Sequence, residues 1–216
     1  MLGPAAAPDP LQGDRNLPRR LVVLAVVLSC CVPGVASAQA VVPPGATYVE
    51  DGTGRPAATA ARWRPPEGDT RVLRVAFADP PADAASFWRE AREALDTWSA
   101  IPGIPFLFQL VPATGEPDVE FRWVDRFPTS QAGATHRRLD EDGYVDGVTV
   151  VLARSHADGS SMSPEFRRLV ALHEVGHVLG LPHSEDPGDV MHPGNRNLRV
   201  SSRDVRSLRS LYRLDP

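Results

Sequence analysis

Residues His173 to His183 read HEVGHVLGLPH, and Met191 follows eight positions later. Positions i and i+4 of a helix lie about 40° apart around its axis, on one face. His173 and His177 can therefore offer two ring nitrogens to one ion, each at about 2.0–2.1 Å if the ion is zinc. Glu174 sits between them in sequence but points away from that shared direction. It can reach a water on the metal without being a ligand itself.

The third donor has to come from beyond the helix. Gly180 can adopt the left-handed conformation that ends helices at no steric cost. Leu181 and Pro182 then turn the chain so that His183 meets the same ion. Three histidines leave one position of a tetrahedral zinc open, which marks a catalytic rather than a structural site. The chemistry this implies is hydrolysis through a zinc-bound water. The ion lowers the pKa of that water to about 7, and Glu174 takes its proton and passes it to the leaving amine. Met191 is expected to bind no metal but to lie as a soft apolar base beneath the histidines. Two other readings stay open: a catalytically silent zinc domain that recognises peptides, against which the presence of Glu174 weighs, and a hydrolase of a non-protein amide such as a cell-wall bond.

The elements that must position these groups are legible in the pattern. Arg71 to Ala78 alternates in the manner of a strand. Asp83 can cap a helix whose apolar positions Phe87, Ala91, Leu95 and Trp98 repeat at helical spacing. Phe106–Val111, Val119–Val124, Gln131–Arg137 and Val148–Leu152 read as four further strands. Ser163 caps the histidine-bearing helix, with Pro164 in its first turn, and Phe166, Leu169, Val170 and Leu172 bury it on the sheet. Arg199, Arg203, Arg206, Arg209 and Arg213 lie along the last helix and read as a solvated face.

At this point the chain resembles the matrixin branch of the metzincins. HSEDPGDVMHP (183–193) is similar to that family's run from third ligand through Met-turn, and VSSRDVRSLRSLY (200–212) to its closing helix. RVLRVAF, DAASFWREAREALDTWSAI, IPFLFQLV and PDVEFRWV resemble its opening strand, first helix and next two strands. Pro193, two residues after Met191, stands where astacin-like and serralysin-like relatives carry tyrosine. The resemblance covers roughly Arg71 to Leu214. It implies an α+β metzincin fold: a twisted, mostly parallel five-stranded sheet with three helices and a zinc cleft. It also implies a protein or peptide substrate lying extended along the strand edge at Gly133, Ala134 and Thr135. Main-chain pairing of that kind gives affinity with little sequence preference. Leu169 would line the floor of the specificity pocket, and the loop from His192 to Arg199, with Pro193, its wall. Asp118 matches a family calcium position. With Asp140 and Asp142 of the acidic loop DEDGYVD it makes a candidate calcium set, since acids and glycine in a tight loop supply oxygen ligands.

Some family features do not carry over. The sequence shows no cysteine-bearing switch segment and no hemopexin-like domain. Only His136 falls where the family's structural zinc is held. Of the two aspartates that anchor the family's mature amino terminus, one position holds Arg203 and the other Asp204.

The first 38 residues read as a targeting segment. Arg19 and Arg20 precede an apolar run from Leu21 to Leu28, and Ala36-Ser37-Ala38 gives a signal-peptidase pattern before Gln39. A lipoprotein anchor at Cys30 is a weaker rival. Residues 39–70, rich in Pro, Gly and Ala, suggest an extended N-terminal segment or short pro-segment wrapping a catalytic domain over 71–216. Asp51 is a candidate to cap the zinc from that segment. Both cysteines, Cys30 and Cys31, lie in the leader, so the exported protein would rely on its core and bound ions rather than disulfides. Beyond the leader no apolar run approaches the twenty or so residues of a spanning helix. The basic residues are all arginine, and the net charge of −4 gives no support for nucleic-acid binding. The expected protein is an exported monomer, extracellular or periplasmic.

Overall fold

Side chains alternate between core and solvent in β2 (Arg71–Phe77), where Leu73 and Val75 are buried and Val72 and Arg74 face out. The same apolar logic builds β3 (Phe106–Leu110), β4 (Val119–Val124), β5 (Gly133–Leu139) and β6 (Val145–Ala153). The structure, a computed structural model, describes residues 24–27, 46–50, 57, 59–68, 70–78 and 84–214. β3, β2, β4 and β6 run parallel, and β5 returns antiparallel beside β6. These five strands form the mostly parallel sheet expected from the sequence.

A sixth strand was not expected. β1 (Leu24–Val27) pairs antiparallel with the outer edge of β5, Val26 opposite Thr135 and Val27 opposite Ala134. The full order is β1-β5-β6-β4-β2-β3. The sequence reading gave this apolar run to the leader and not to the sheet. An open strand edge presents unpaired amides and carbonyls that any extended apolar segment can satisfy.

α1 (Ala84–Ser99) and α2 (Pro164–Val178) pack against each other and against the sheet. Phe87, Ala91, Leu95 and Trp98 are buried as their spacing requires. Full burial of side chains of this kind contributes about 1.5–3 kcal/mol each for the larger ones. The Trp98 indole Nε1 donates to the Leu172 carbonyl at 2.9 Å and ties α1 to the histidine-bearing helix. Ser163 caps α2 by accepting from the Phe166 amide at 3.1 Å. α3 (Ser202–Tyr212) opens on a capping box between Ser201 and Asp204.

The N-terminal segment wraps this unit and enters its core. Tyr48, Val49, Ala61 and Trp63 are buried with it. Trp63 donates from Nε1 to the Val178 carbonyl at 2.8 Å, and its amide donates to the Tyr212 hydroxyl at 3.1 Å. β6 starts earlier than its sequence pattern indicated because the Val145 amide bonds the Arg62 carbonyl of this segment at 2.8 Å. Asp51 and Asp83 lie outside the described residues. Arg203 departs from the solvated face assigned to it: its side chain is mostly buried and pairs with Asp189 at 3.1 Å.

Candidate active site

α2 carries His173 and His177 on the face turned to the core, and both are buried. Gly180 ends the helix with φ +98°, and a Cβ there would lie 1.7 Å from the Ala61 carbonyl oxygen. Only glycine allows both the backbone turn and the approach of the N-terminal segment. The chain then delivers His183, and the ligand atoms of the three histidines all lie within 4.8 Å of one another.

The ring orientations are fixed from behind. His173 Nδ1 is 2.8 Å from the Val190 carbonyl, and His177 Nδ1 is 2.7 Å from the Leu181 carbonyl. Each Nδ1 therefore carries the proton and leaves Nε2 with its lone pair turned inward, the arrangement that orients zinc ligands. His173 Nε2 is buried without a hydrogen-bond partner. The Nε2 atoms of His177 and His183 are 3.2 Å apart, close to the separation of about 3.3 Å that two ligands have on a tetrahedral zinc. Burial first, then the neighbouring histidines, pushes His173 down to about 3 and His183 to about 4. His177 is lowered well below the usual value, again chiefly by burial. Neutral imidazoles are the form that binds metal, so the donor set fits a zinc ion.

Glu174 is fully buried beside this cluster. Thr135 Oγ1 donates to Glu174 Oε2 at 2.6 Å, while Oε1 has no protein partner. Burial pushes the carboxyl up to about 8, opposed by the Thr135 hydrogen bond and by the charge of Arg137. Gly133 makes room for it: a Cβ there would lie 2.6 Å from Glu174 Oε1.

A family model for the matrixins matches residues 70–213. The chain belongs to the matrixin family. Matrilysin of Felis catus is 33% identical over 132 residues, 56% of this chain and 49% of that protein. Metalloendoproteinase 1 of Glycine max is 26% identical over 167 residues, 72% of this chain and 54% of its own length. Neutrophil collagenase of Homo sapiens is 25% identical over 164 residues, 66% of this chain and 32% of that protein. The chain thus spans about half, or less, of the length of these relatives. The histidine triad is this matrixin's candidate for the family's zinc site.

The segment that carries Met191 packs against α2. Met191 is fully buried, and a Cβ on Gly176 would fall 2.2 Å from its sulfur. The Met191 carbonyl accepts from the Ser184 amide at 2.9 Å, which pins the chain next to His183. Among the residues expected to contact substrate, Gly133 and Ala134 lie on β5, which is no open edge here because Ala134 pairs with Val27 of β1, and Leu169 is half-buried on α2. Asn195, in the loop carrying Pro193, donates from Nδ2 to the Leu169 carbonyl at 3.2 Å and so joins that loop to α2.

The three candidate calcium aspartates are not brought together. Asp118 accepts from the Arg74 amide at 2.7 Å. Asp140 and Asp142 both bind the Arg64 guanidinium, at 2.7 and 2.8 Å. Among the described residues the three histidines are the one group whose ligand atoms converge, and His136 joins none.

Several supporting residues went unnoticed in the sequence. Thr135 and Arg137 point with Gly133 to the α2 side of β5, a period-2 pattern that was available, but the strand was read only as a main-chain edge. Arg137 is buried and donates to the Thr59 and Leu181 carbonyls at 2.9 and 3.3 Å. It shares the Leu181 carbonyl with His177. Burial lowers its pKa to about 10, so it remains a cation at neutral pH. Asp204 receives the Val190 amide at 2.9 Å. The resemblance marks Asp204 as an anchor for the amino terminus, but nothing in the sequence marks its bond to Val190.

Proposed function

We propose that this matrixin is a zinc-dependent endopeptidase whose general base is Glu174. The observation that carries the reading is the convergence of three oriented imidazoles beside a buried carboxylate with one free oxygen. A zinc ion held by His173, His177 and His183 would lower the pKa of a water toward about 7 and polarise the scissile carbonyl. Glu174 takes the proton from the attacking water at Oε1 and returns it to the leaving amine. The Thr135 hydrogen bond and, more weakly, the charge of Arg137 oppose the upward push of burial on the Glu174 carboxyl without cancelling it. Substrate lies antiparallel along β5 at Gly133 and Ala134, in the place that β1 fills before cleavage after Ala38 removes it. In support, that edge already accepts an antiparallel strand in β1. Leu169 and the loop bearing Pro193 border the pocket for the side chain that follows the cut.

The experiment is cleavage of an unstructured protein by wild type and by Glu174→Gln. The expected result is activity abolished by a zinc chelator and restored by zinc in the wild type, with turnover lost and zinc retained in the variant. Full turnover by Glu174→Gln refutes the proposal.

We also propose that the chain is exported, with cleavage after Ala38. Among the described residues no helix is long and apolar enough to cross a membrane. Amino-terminal sequencing of the secreted protein should read from Gln39.

A further inference from the structure

We infer that Thr135 is a positioning residue for the reaction, its hydroxyl fixing one oxygen of Glu174 so that the other is presented to the reacting water. The inference rests on the endopeptidase reading above and goes beyond its ligands and base.

The geometry is specific. Thr135 Oγ1 lies 2.6 Å from Glu174 Oε2 and 3.3 Å from the Glu174 main-chain carbonyl. A hydroxyl has one proton to donate, and the shorter contact to the carboxylate takes it. Both residues are wholly buried, so water does not compete for this bond. Among the described residues no other side chain donates to that carboxylate. Arg137, the nearest cation in the strand, has its two terminal guanidinium nitrogens engaged by the Thr59 and Leu181 carbonyls.

The strand supplies the rest of the seat. Thr135 and Gly133 project from the same face of β5. The missing side chain at Gly133 leaves room for Glu174 Oε1 and Cγ, which a Cβ would approach to 2.6 and 2.8 Å. One residue therefore provides space and the next but one provides a hydrogen bond. The β-branch of threonine restricts χ1 and limits the directions in which the hydroxyl can point. A general base works only when its accepting oxygen is within hydrogen-bond reach of the proton it removes. A carboxylate free to rotate about its terminal torsion, which is broad and roughly two-fold, would spend much of its time misaligned.

The test compares Thr135→Val, which keeps the shape and removes the hydroxyl, with Thr135→Ser, which keeps the hydroxyl. Thr135→Val should lower kcat by about 10- to 100-fold, the range expected when a hydrogen bond to a charged group is lost from the transition state. KM and zinc stoichiometry should stay at wild-type values, and a crystal structure should show the Glu174 carboxylate turned from its wild-type orientation. Thr135→Ser should restore kcat to within about threefold. Thr135→Ala provides the same loss of hydroxyl if the valine variant does not fold. Wild-type kcat in the hydroxyl-less variants, an equal loss in Thr135→Ser, or an effect on KM alone would overturn the role of Thr135. If those results came with an inactive Glu174→Gln, the endopeptidase reading would stand without Thr135. If Glu174→Gln were fully active, that reading would itself fail.

Discussion

The Tyr48 hydroxyl donates to Asp204 Oδ1 at 2.6 Å across 156 positions of sequence. The other oxygen of the same carboxylate accepts the Val190 and Ser201 amides, each at 2.9 Å. One buried carboxylate thus ties the N-terminal segment, the Met-turn and the start of α3 together. The Tyr48 ring lies under the Arg203 guanidinium, 5.3 Å from its centroid. Burial, followed by the charge of Asp204, raises the Tyr48 pKa, so the phenol keeps its proton and remains a donor.

Tyr48→Phe removes that donor and leaves a buried carboxylate short of a partner. A hydrogen bond to a charged group is worth about 1.5–3 kcal/mol. Urea denaturation should show a loss of that size with an unchanged m-value. An unchanged midpoint would mean that this hydrogen bond adds nothing to the hold on the N-terminal segment.

Gly176→Ala sets two effects against each other. Alanine favours the helix over glycine by about 1 kcal/mol. The new Cβ, however, meets the Met191 sulfur at 2.2 Å and Trp98 Cζ2 at 3.0 Å. Over-packing in a filled core costs about 1–3 kcal/mol, and both neighbours are wholly buried. Net destabilisation is expected, read as a lower urea midpoint. A stabilised variant would show that the Met-turn yields easily.

Acid should remove the metal late. An unperturbed imidazole takes a proton near pH 6.5. His183 is held down to about 4 and His173 to about 3, so the neutral, ligating forms persist as pH falls through that value. A bound cation opposes protonation further. Zinc content after gel filtration should be constant from about pH 8 to 5 and drop below about pH 4. Release centred near pH 6.5 would contradict the burial of the triad.

Arg64 supplies the countercharge for Asp140 and Asp142. A calcium-selective chelator should leave the melting temperature unchanged. A fall of several degrees, reversed by calcium, would show that the loop exchanges arginine for a cation.

The ligand set was legible because its spacing is dictated by one helix and one glycine. His173 and His177 share a face by periodicity, and Gly180 marks where the chain must turn. The apolar positions of α1 and the cap at Ser163 were legible for the same local reason. The supports of the site were not. Thr135 and Arg137 act across long stretches of chain, and their residue types are ordinary on a surface. The pairing of β1 with β5 was missed because Leu24–Val27 reads equally well as an export signal. The acidic loop reads in sequence as a ligand set, and in the structure its Asp140 and Asp142 pair with Arg64.

Elemental analysis of purified, metal-replete protein is the most direct measurement of all, made on the wild type and on His173→Ala, His177→Ala and His183→Ala. The wild type should hold one zinc per chain, and each substitution should reduce that markedly while the fold, read by circular dichroism, persists. A wild type without stoichiometric zinc, or zinc that survives all three substitutions, would contradict the assignment of these histidines as a common metal site.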